Sequence, residues 1–175
     1  IFGAINAENA TSAVLMAKAI GISIDGITRS LKTVNGLWRR MEHLGSIGDT
    51  EIYSDYAHHP TAIRRTLEAC GKAFPSKRII ICFQAHHRIR LQTLFWEFVE
   101  AFDIADALVL AEVYEPVGRE DAVSNMVTSS DLFEAITRHD MERGVVRPLR
   151  DIPDVTRALE EGLTLTNAGD IFLVM

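Results

Sequence analysis

From Tyr53 onward, short apolar runs alternate with segments in which apolar residues recur at helical spacing. Such alternation is typical of an α/β domain, because a right-handed helical crossover connects each strand to the next parallel strand. We predict strands at 78–83, 107–113, 144–148 and 170–175, and helices at 60–73, about 91–102, 129–138 and 153–161. The expected fold is a Rossmann-like three-layer domain, with a mostly parallel sheet flanked by helices.

The first 34 residues have a different pattern, which predicts two helices in succession. Asn6 is a suitable N-cap for a helix at 7–20, which Gly21 would end. Asp25 is a suitable N-cap for a second helix at 27–32. These helices read as a connecting piece that precedes the alternating part of the chain.

A hairpin is predicted between the two parts, with residues 41–47 paired to residues 50–53 through a Gly-Asp turn. This hairpin would add one antiparallel pair to the sheet. The last segment, residues 170–175, reads as a strand that no turn follows. We therefore expect the chain to be part of a longer protein.

Composition narrows the classes of function. Of the 175 residues, 47% are hydrophobic, which is enough for a buried core, and the formal charge is −6. An acidic chain is a poor match for nucleic acid or an anionic membrane, which both attract basic surfaces. Cys70 and Cys82 fall in a predicted helix and a predicted buried strand, so we expect reduced core thiols. No apolar run of ~20 residues and no signal-peptide pattern is present, so a cytoplasmic location is expected.

Reactive side chains are concentrated directly after a predicted strand end at Tyr53. Asp55, Tyr56, His58 and His59 follow this strand within six residues, and Pro60 can occupy the first position of the next helix. Loops at the carboxyl ends of parallel strands are where open α/β sheets bind ligands. We therefore predict that the functional site includes this loop.

Two further strand ends carry polar side chains. The loop after the predicted strand 78–83 contributes two histidines and two arginines, and the next strand ends in a carboxylate and a phenol: His86, His87, Arg88, Arg90, Glu112 and Tyr114. If the strands are parallel, all three loops lie at the same edge of the sheet.

These residue types leave several roles open. The four histidines of the two loops could ligate a metal, or one histidine of each pair could support its loop while the other faces the cleft. Asp55 could be a general base, a magnesium ligand or a helix cap. The pairs Arg39–Arg40 and Arg88/Arg90 suit phosphate or carboxylate. No Gly-x-x-x-x-Gly-Lys-Ser/Thr loop is present, so we expect the chain to complete a site supplied elsewhere.

Five segments, in order and spacing, resemble motifs of the Mur ligases: the first resembles the segment that closes their central ATPase domain, and the other four resemble motifs of their C-terminal domain. Gly3–Ala10 resembles Gly-x-His-Asn-x-x-Asn-Ala, and Gly36–Gly45 resembles Gly-x-x-Arg-Arg-x-x-x-x-Gly. Asp55–Thr61 is similar to Asp-Tyr-Gly-His-His-Pro-Thr. Phe83–Arg90 resembles Phe-Gln-Pro-His-Arg-x-x-Arg, and Glu112–Tyr114 matches Glu-Val-Tyr. The resemblance extends over essentially the whole chain.

The resemblance implies an ATP-dependent amide ligase of peptidoglycan precursor synthesis, closest to the group that joins L-alanine to UDP-N-acetylmuramate. In this reaction ATP phosphorylates the muramic acid carboxylate with release of ADP, and the amine then attacks the acyl phosphate and displaces inorganic phosphate. ATP and Mg²⁺ would be bound mainly by a central domain. Residues 1–34 would be the end of that domain or connecting helices, and residues 35–175 the C-terminal ligase domain. The implied partners are the two substrates and the missing N-terminal and central domains, with no nucleic acid and no membrane.

The resemblance also implies roles for single residues. His58 and Arg90 would act at the reacting centre as the catalytic pair. The substrate-binding set would be His58, His86, Arg88, Arg90 and Tyr114. The nucleotide-binding set would be Asn6, Asn9, Arg40 and Asp55. His59 is expected to be structural, and no metal ligand is assigned.

The chain departs from the family pattern at a few positions. Ile5 replaces the histidine of the first motif, Ser54 replaces the first acid of an Asp-Asp pair, and His87 replaces the first arginine after the histidine of the fourth motif. Three alternatives to the main hypothesis follow: a ligase that attaches a recycled murein tripeptide, a non-catalytic amino-acid or nucleotide binder, and a metal hydrolase that uses the four histidines.

Overall fold

The computed structural model describes residues 3–34, 36–115 and 126–175, and for Ile5 it describes the backbone alone. Six strands form one sheet: β1 (Glu42–Ile47), β2 (Thr50–Ser54), β3 (Ile79–His86), β4 (Ala107–Tyr114), β5 (Leu149–Asp151) and β6 (Ile171–Val174). Seven helices lie in the described residues: α1 (Ala4–Ala19), α2 (Ile24–Lys32), α3 (Pro60–Ala73), α4 (Arg88–Thr93), α5 (Phe95–Ala101), α6 (Ser129–Glu142) and α7 (Val155–Thr164).

The strand order β1-β2-β6-β3-β4-β5 places the last strand near the middle of the sheet. β1 pairs antiparallel with β2, and every other pair is parallel. β6 lies between β2 and β3, with Ile171 opposite both Glu51 and Ile79. The predicted class, a mostly parallel sheet with one antiparallel hairpin and helices on both faces, is confirmed.

The central strands are buried on both faces, as parallel strands covered by helices usually are. Along β3, the side chains of Ile79, Ile81 and Phe83 enter the larger core, which α3 to α6 cover. The alternate side chains Ile80 and Cys82 enter a smaller core against α7. This packing explains why the segment 79–83 is a continuous apolar run rather than an alternating one.

Several predicted elements are confirmed and others are wrong. The hairpin is confirmed, and α3 runs over 60–73 as predicted, with Pro60 at its first position. The predicted helix at 91–102 is two helices, because Leu94 leaves the helical conformation at φ −113°, ψ 30°. The strand predicted at 144–148 is wrong: α6 extends to Glu142, Gly144 has φ 67°, and the strand is β5 at 149–151.

Both predicted N-caps of the first two helices are also wrong. α1 begins at Ala4 after Gly3, so Asn6 lies inside its first turn. α2 begins one residue before Asp25, because the Ser23 side chain accepts a hydrogen bond from the backbone N–H of Gly26 at 3.2 Å. Asp25 instead occupies the first turn, where a negative charge is favourable.

Position 162 in α7 is expected to tolerate only glycine without a loss of stability. A methyl group at Gly162 would lie 2.6 Å from Cε2 of the buried Phe172 ring. Gly162→Ala should lower the free energy of unfolding by about 1–3 kcal/mol, because the ring or the helix must move. Gly71→Ala in α3 is the matched control: nothing lies within 4 Å there, so alanine should stabilise by about 0.5–1 kcal/mol. Urea titration measures both, and equal effects would contradict the close contact.

Candidate active site at the carboxyl edge of the sheet

Asp55 is buried at the carboxyl end of β2 and connects three parts of the chain. Its carboxylate accepts the backbone N–H groups of Met41 and Ala57, each at 2.9 Å, and the Thr66 hydroxyl donates to it at 3.5 Å. Burial raises the pKa of this carboxyl, and the two backbone hydrogen bonds act in the opposite direction. Asp55 thereby holds the turn before β1, its own loop and α3 together.

A cavity of about 490 Å³ opens beside Asp55, between the start of α1, the turn before β1 and α3. Its lining contains all four residues predicted to bind the nucleotide: Asn6, Asn9, Arg40 and Asp55. The lining also includes Thr61 and Arg65, which the sequence reasoning missed. These two residues are four positions apart, so they lie on the same face of α3. Their helical spacing after Pro60 was the signal that could have identified them.

On the other side of the Asp55 loop, two imidazoles and two phenols form a cluster. The Tyr56 ring lies 4.5 Å from the His58 ring and 5.7 Å from the His86 ring. The two imidazoles are stacked with centroids 6.2 Å apart, and Tyr114 lies 5.2 Å from His86. The structure therefore brings together three of the residues predicted to bind substrate, from the loop after β2 and the ends of β3 and β4.

The His58 ring is fixed by a hydrogen bond within its own loop. Its Nδ1 lies 2.7 Å from the carbonyl oxygen of Tyr56. A carbonyl oxygen can only accept, so Nδ1 carries the proton and Nε2 of the neutral ring is left as an acceptor. A ring in this tautomer can take a proton from a bound amine at Nε2.

Burial and positive neighbours keep both imidazoles neutral. Burial lowers the pKa of His58, and Arg90 and Arg40 lower it further, while the hydrogen bond to Tyr56 opposes the shift. Burial also lowers the pKa of His86, with additional contributions from His58, Arg39, His87 and Arg90. The cluster is therefore an uncharged pair of bases beside fixed cations at neutral pH.

We expect both imidazoles to titrate below the usual histidine value of about 6.5. The pKa values of His58 and His86 are lower in the folded state than in the unfolded state. Their contribution to the free energy of unfolding is therefore complete above the unfolded pKa. It is lost as the pH falls through the folded pKa values. NMR titration of the ring protons of His58 and His86, with the urea-unfolded chain as reference, measures the shift. A ring that titrates at or above its unfolded value would contradict the prediction.

The two predicted substrate arginines have different surroundings. Arg90 donates to the carbonyl oxygen of His86 at 3.2 Å and stays beside the cluster. The Arg88 guanidinium instead donates to the Glu112 carboxylate at 3.1 Å and to the carbonyl oxygen of Val127 at 3.0 Å. Arg88 would have to leave these partners to contact a substrate. It joins α4 to the end of β4 in the structure.

The second histidine of each pair has a local structural role. His59 is the N-cap of α3, where its Nδ1 accepts the backbone N–H of Thr61 at 3.3 Å, in agreement with the structural role expected for it. His87 precedes α4 with φ 68°, and its backbone N–H donates to the carbonyl oxygen of Tyr114 at 3.0 Å. Within the described ranges, no three His, Cys, Asp or Glu side chains are grouped as metal ligands.

Ser54 and Ile5 are the two remaining positions that depart from the family pattern. Ser54, at the end of β2, is buried. The side chain of Ile5 lies outside the described part of the structure.

Both thiols, Cys70 and Cys82, are free and buried as predicted, and burial raises the pKa of each to about 12. In the described residues, no helix is both long and apolar enough to cross a membrane.

Comparisons with known proteins identify the family. The family model for the Mur ligase, glutamate ligase domain, matches residues 39–175. The UDP-N-acetylmuramate--L-alanine ligase of Desulfitobacterium hafniense is 34% identical over 99% of this chain and 39% of its own length. That of Clostridium kluyveri is 38% identical over 97% of this chain and 37% of its own length. The chain therefore spans well under half the length of the curated relatives it matches.

Solved structures agree with this result. The UDP-N-acetylmuramate-alanine ligase of Thermotoga maritima has a TM-score of 0.71 at 20% identity, over 99% of this chain and 34% of that one. The murein peptide ligase of Psychrobacter arcticus has a TM-score of 0.63 at 25% identity, over 99% of this chain and 34% of that one. The first likeness establishes a shared fold, and the family model covers most of the sequence. This chain belongs to the Mur ligase family.

Proposed function

We propose that the chain is the C-terminal domain of an ATP-dependent ligase that joins L-alanine to UDP-N-acetylmuramate. One observation carries the proposal: a single loop connects two adjacent sites. Asp55 lines the cavity, and His58, three residues later, belongs to the imidazole cluster. A ligase that phosphorylates a carboxylate and then joins it to an amine needs the nucleotide and the amino acid side by side. The relatives at 34–38% identity are named for this reaction.

The cavity is the proposed contact surface for ATP. Its amides, from Asn6 and Asn9, suit the hydrogen-bonding edge of a base, and its guanidinium groups, from Arg40 and Arg65, suit phosphate oxygens. Mg²⁺ would neutralise the transferred phosphoryl group. As the family resemblance implies, we assign Mg²⁺ mainly to the missing central domain.

The imidazole cluster is the proposed site for the amino acid. Arg90 would bind its carboxylate, and Nε2 of neutral His58 would accept the proton that the attacking amine releases. His86 and Tyr114 would complete the pocket, and Arg88 would contribute mainly by holding α4 against Glu112. His58 and Arg90 remain the proposed catalytic pair.

Residues 1–34 would contact the missing central domain, and residues 35–175 would form the ligase domain. α1, α2 and the segment between them expose several large apolar side chains: Leu15, Met16, Ile20, Ile22, Ile24 and Leu31. Exposed large apolar side chains that are grouped in one part of a chain are typical of an interface. We propose a cytoplasmic enzyme, in keeping with two free buried thiols, and expect this chain alone to be inactive.

The proposal is tested with the full-length parent protein, UDP-N-acetylmuramate and MgATP. ADP release should require L-alanine and should not occur with the tripeptide L-alanyl-D-glutamyl-diaminopimelate. Turnover with the tripeptide alone would instead assign the protein to murein peptide recycling. Absence of turnover with both acceptors would favour a non-catalytic binder.

A further inference from the structure

Neither of the two sites proposed above includes Arg39, although it is adjacent to Arg40 in the sequence. Arg40 is among the described residues that line the cavity, and Arg39 is not. The Arg39 guanidinium instead lies over the Tyr56 ring, 4.6 Å from its centroid, and 6.0 Å from the Trp38 ring. Both distances are within the range of about 6 Å in which an aromatic face attracts a cation.

The backbone of Arg39 is held in an unfavourable conformation. Its φ of 51° lies in the left-handed region, which a residue with a long side chain occupies when its surroundings hold it there. The Arg39 N–H donates to the Glu42 carboxylate at 2.8 Å. The Arg39 carbonyl oxygen accepts the backbone N–H of Tyr56 at 2.7 Å. Arg39 is therefore attached to Tyr56 through both its backbone and its side chain.

Tyr56 is in turn attached to His58 in two ways. The Tyr56 carbonyl oxygen accepts the Nδ1 proton of His58 at 2.7 Å, and the two rings lie 4.5 Å apart. The Tyr56 side chain is more than one-third exposed, so packing alone leaves it freedom to rotate. The guanidinium over one face of the ring restricts that rotation.

We propose that Arg39 is a positioning residue, which holds the Tyr56 ring against His58 and so orients the His58 imidazole towards the amino-acid site. The inference rests on the proposed ligase function and adds a supporting residue to its amino-acid site. Arg39 acts through Tyr56 and does not itself contact the reacting atoms. The two adjacent arginines thus act on different sides of the loop that follows β2. Arg40 lines the cavity proposed for the nucleotide, and Arg39 contacts Tyr56 beside the proposed amino-acid site.

The charge of Arg39 also affects the pKa of His86, which gives a second and independent way to detect its position. Arg39 is one of the groups that lower the pKa of His86, after burial and His58 and before His87 and Arg90. Removing its charge should therefore raise the pKa of His86, whereas a purely steric change would leave it unchanged.

The kinetic test uses the full-length parent protein with Arg39→Gln, Arg39→Lys and the exposed control Arg64→Gln. Arg39→Gln should lower kcat/KM for the amino acid by about fivefold or more, and leave the KM for MgATP within about twofold of wild type. Arg39→Lys should restore most of the loss, because an ammonium group also binds an aromatic face. Arg64→Gln should behave as wild type. An effect confined to the KM for MgATP, or a loss that lysine does not reduce, would overturn the proposal.

A double-mutant cycle tests the path through Tyr56. Tyr56→Leu removes the ring, so adding Arg39→Gln to this variant should cause little further loss in kcat/KM for the amino acid. Fully additive losses would show that Arg39 acts independently of Tyr56 and would overturn the proposal.

NMR titration separates this inference from the proposed function. In the full-length protein with labelled histidines, Arg39→Gln should raise the pKa of His86, and Arg39→Lys should leave it close to wild type. Identical His86 titrations in wild type and Arg39→Gln would overturn the inference even if the enzyme ligates alanine. A raised pKa in a protein that ligates neither acceptor would support the placement of Arg39 while removing the ligase function.

Discussion

Asp140→Ala should lower the free energy of unfolding by about 3–5 kcal/mol, because it leaves the Arg147 guanidinium buried without a counter-ion. Arg147 is 4% exposed and Asp140 8% exposed in their side chains. Two parallel hydrogen bonds of 2.7 and 2.9 Å join them. Arg147 also donates to the carbonyl oxygens of Phe102 and Ala105, so the pair connects α6, the end of α5 and the segment before β5.

Urea unfolding of this chain measures the effect, and two variants serve as controls. Asp103→Ala removes the partner of Arg143 and His139 at a partly exposed site, where the loss should be about 1 kcal/mol or less. Replacing both members of the buried pair, as in Asp140→Leu with Arg147→Met, should cost less than Asp140→Ala alone. A loss below about 1 kcal/mol for Asp140→Ala would show that Arg147 finds solvent or another partner.

Arg90→Ala in the full-length parent enzyme should reduce kcat/KM for the amino acid by about 10²-fold or more, the usual loss when one fixed donor at a reacting centre is removed. Arg90 lies beside His86, whose carbonyl oxygen it contacts at 3.2 Å, and its charge lowers the pKa of both clustered imidazoles. Its removal should therefore also raise the pKa of His58 and shift the acid limb of the pH–rate profile upward.

Steady-state assays of ADP release measure this loss, with Arg157→Ala as a matched arginine control on the exposed surface of α7. Arg157→Ala should retain wild-type kinetics. The KM for MgATP should change little in the Arg90 variant, because Arg90 does not belong to the described lining of the cavity. Unchanged ligation by Arg90→Ala would remove Arg90 from the catalytic pair.

Local sequence signals predicted the elements in which neighbouring residues decide the structure. α3 was predicted with its correct bounds, because Pro60 can begin a helix and the apolar residues after it follow one helical face. The hairpin followed from its tight turn. Local signals gave the wrong N-cap where two capping residues lie within one turn. Either Ser23 or Asp25 can cap a helix, and the structure uses Ser23.

The sequence also predicted that the polar segments lie together at one edge of the sheet, since a polar loop after a parallel strand has that position in any such fold. It could not assign partners to long side chains. Arg88 and Arg90 are two positions apart, yet Arg88 pairs with Glu112 from β4, while Arg90 stays with the imidazoles. Which arginine stays beside the imidazole cluster depends on a carboxylate 24 residues away in the chain.

What the sequence by itself determined is thus the α/β class, most helix and strand positions, and the set of reactive side chains, because these depend on local periodicity and residue chemistry. The tertiary structure alone decided that β6 enters between β2 and β3, and that Asp55 binds the N–H of Met41. It also decided that the Asp55 loop separates a polar cavity from an imidazole cluster. These features depend on contacts between segments distant in sequence, whose geometry is set by packing of the whole sheet against its helices.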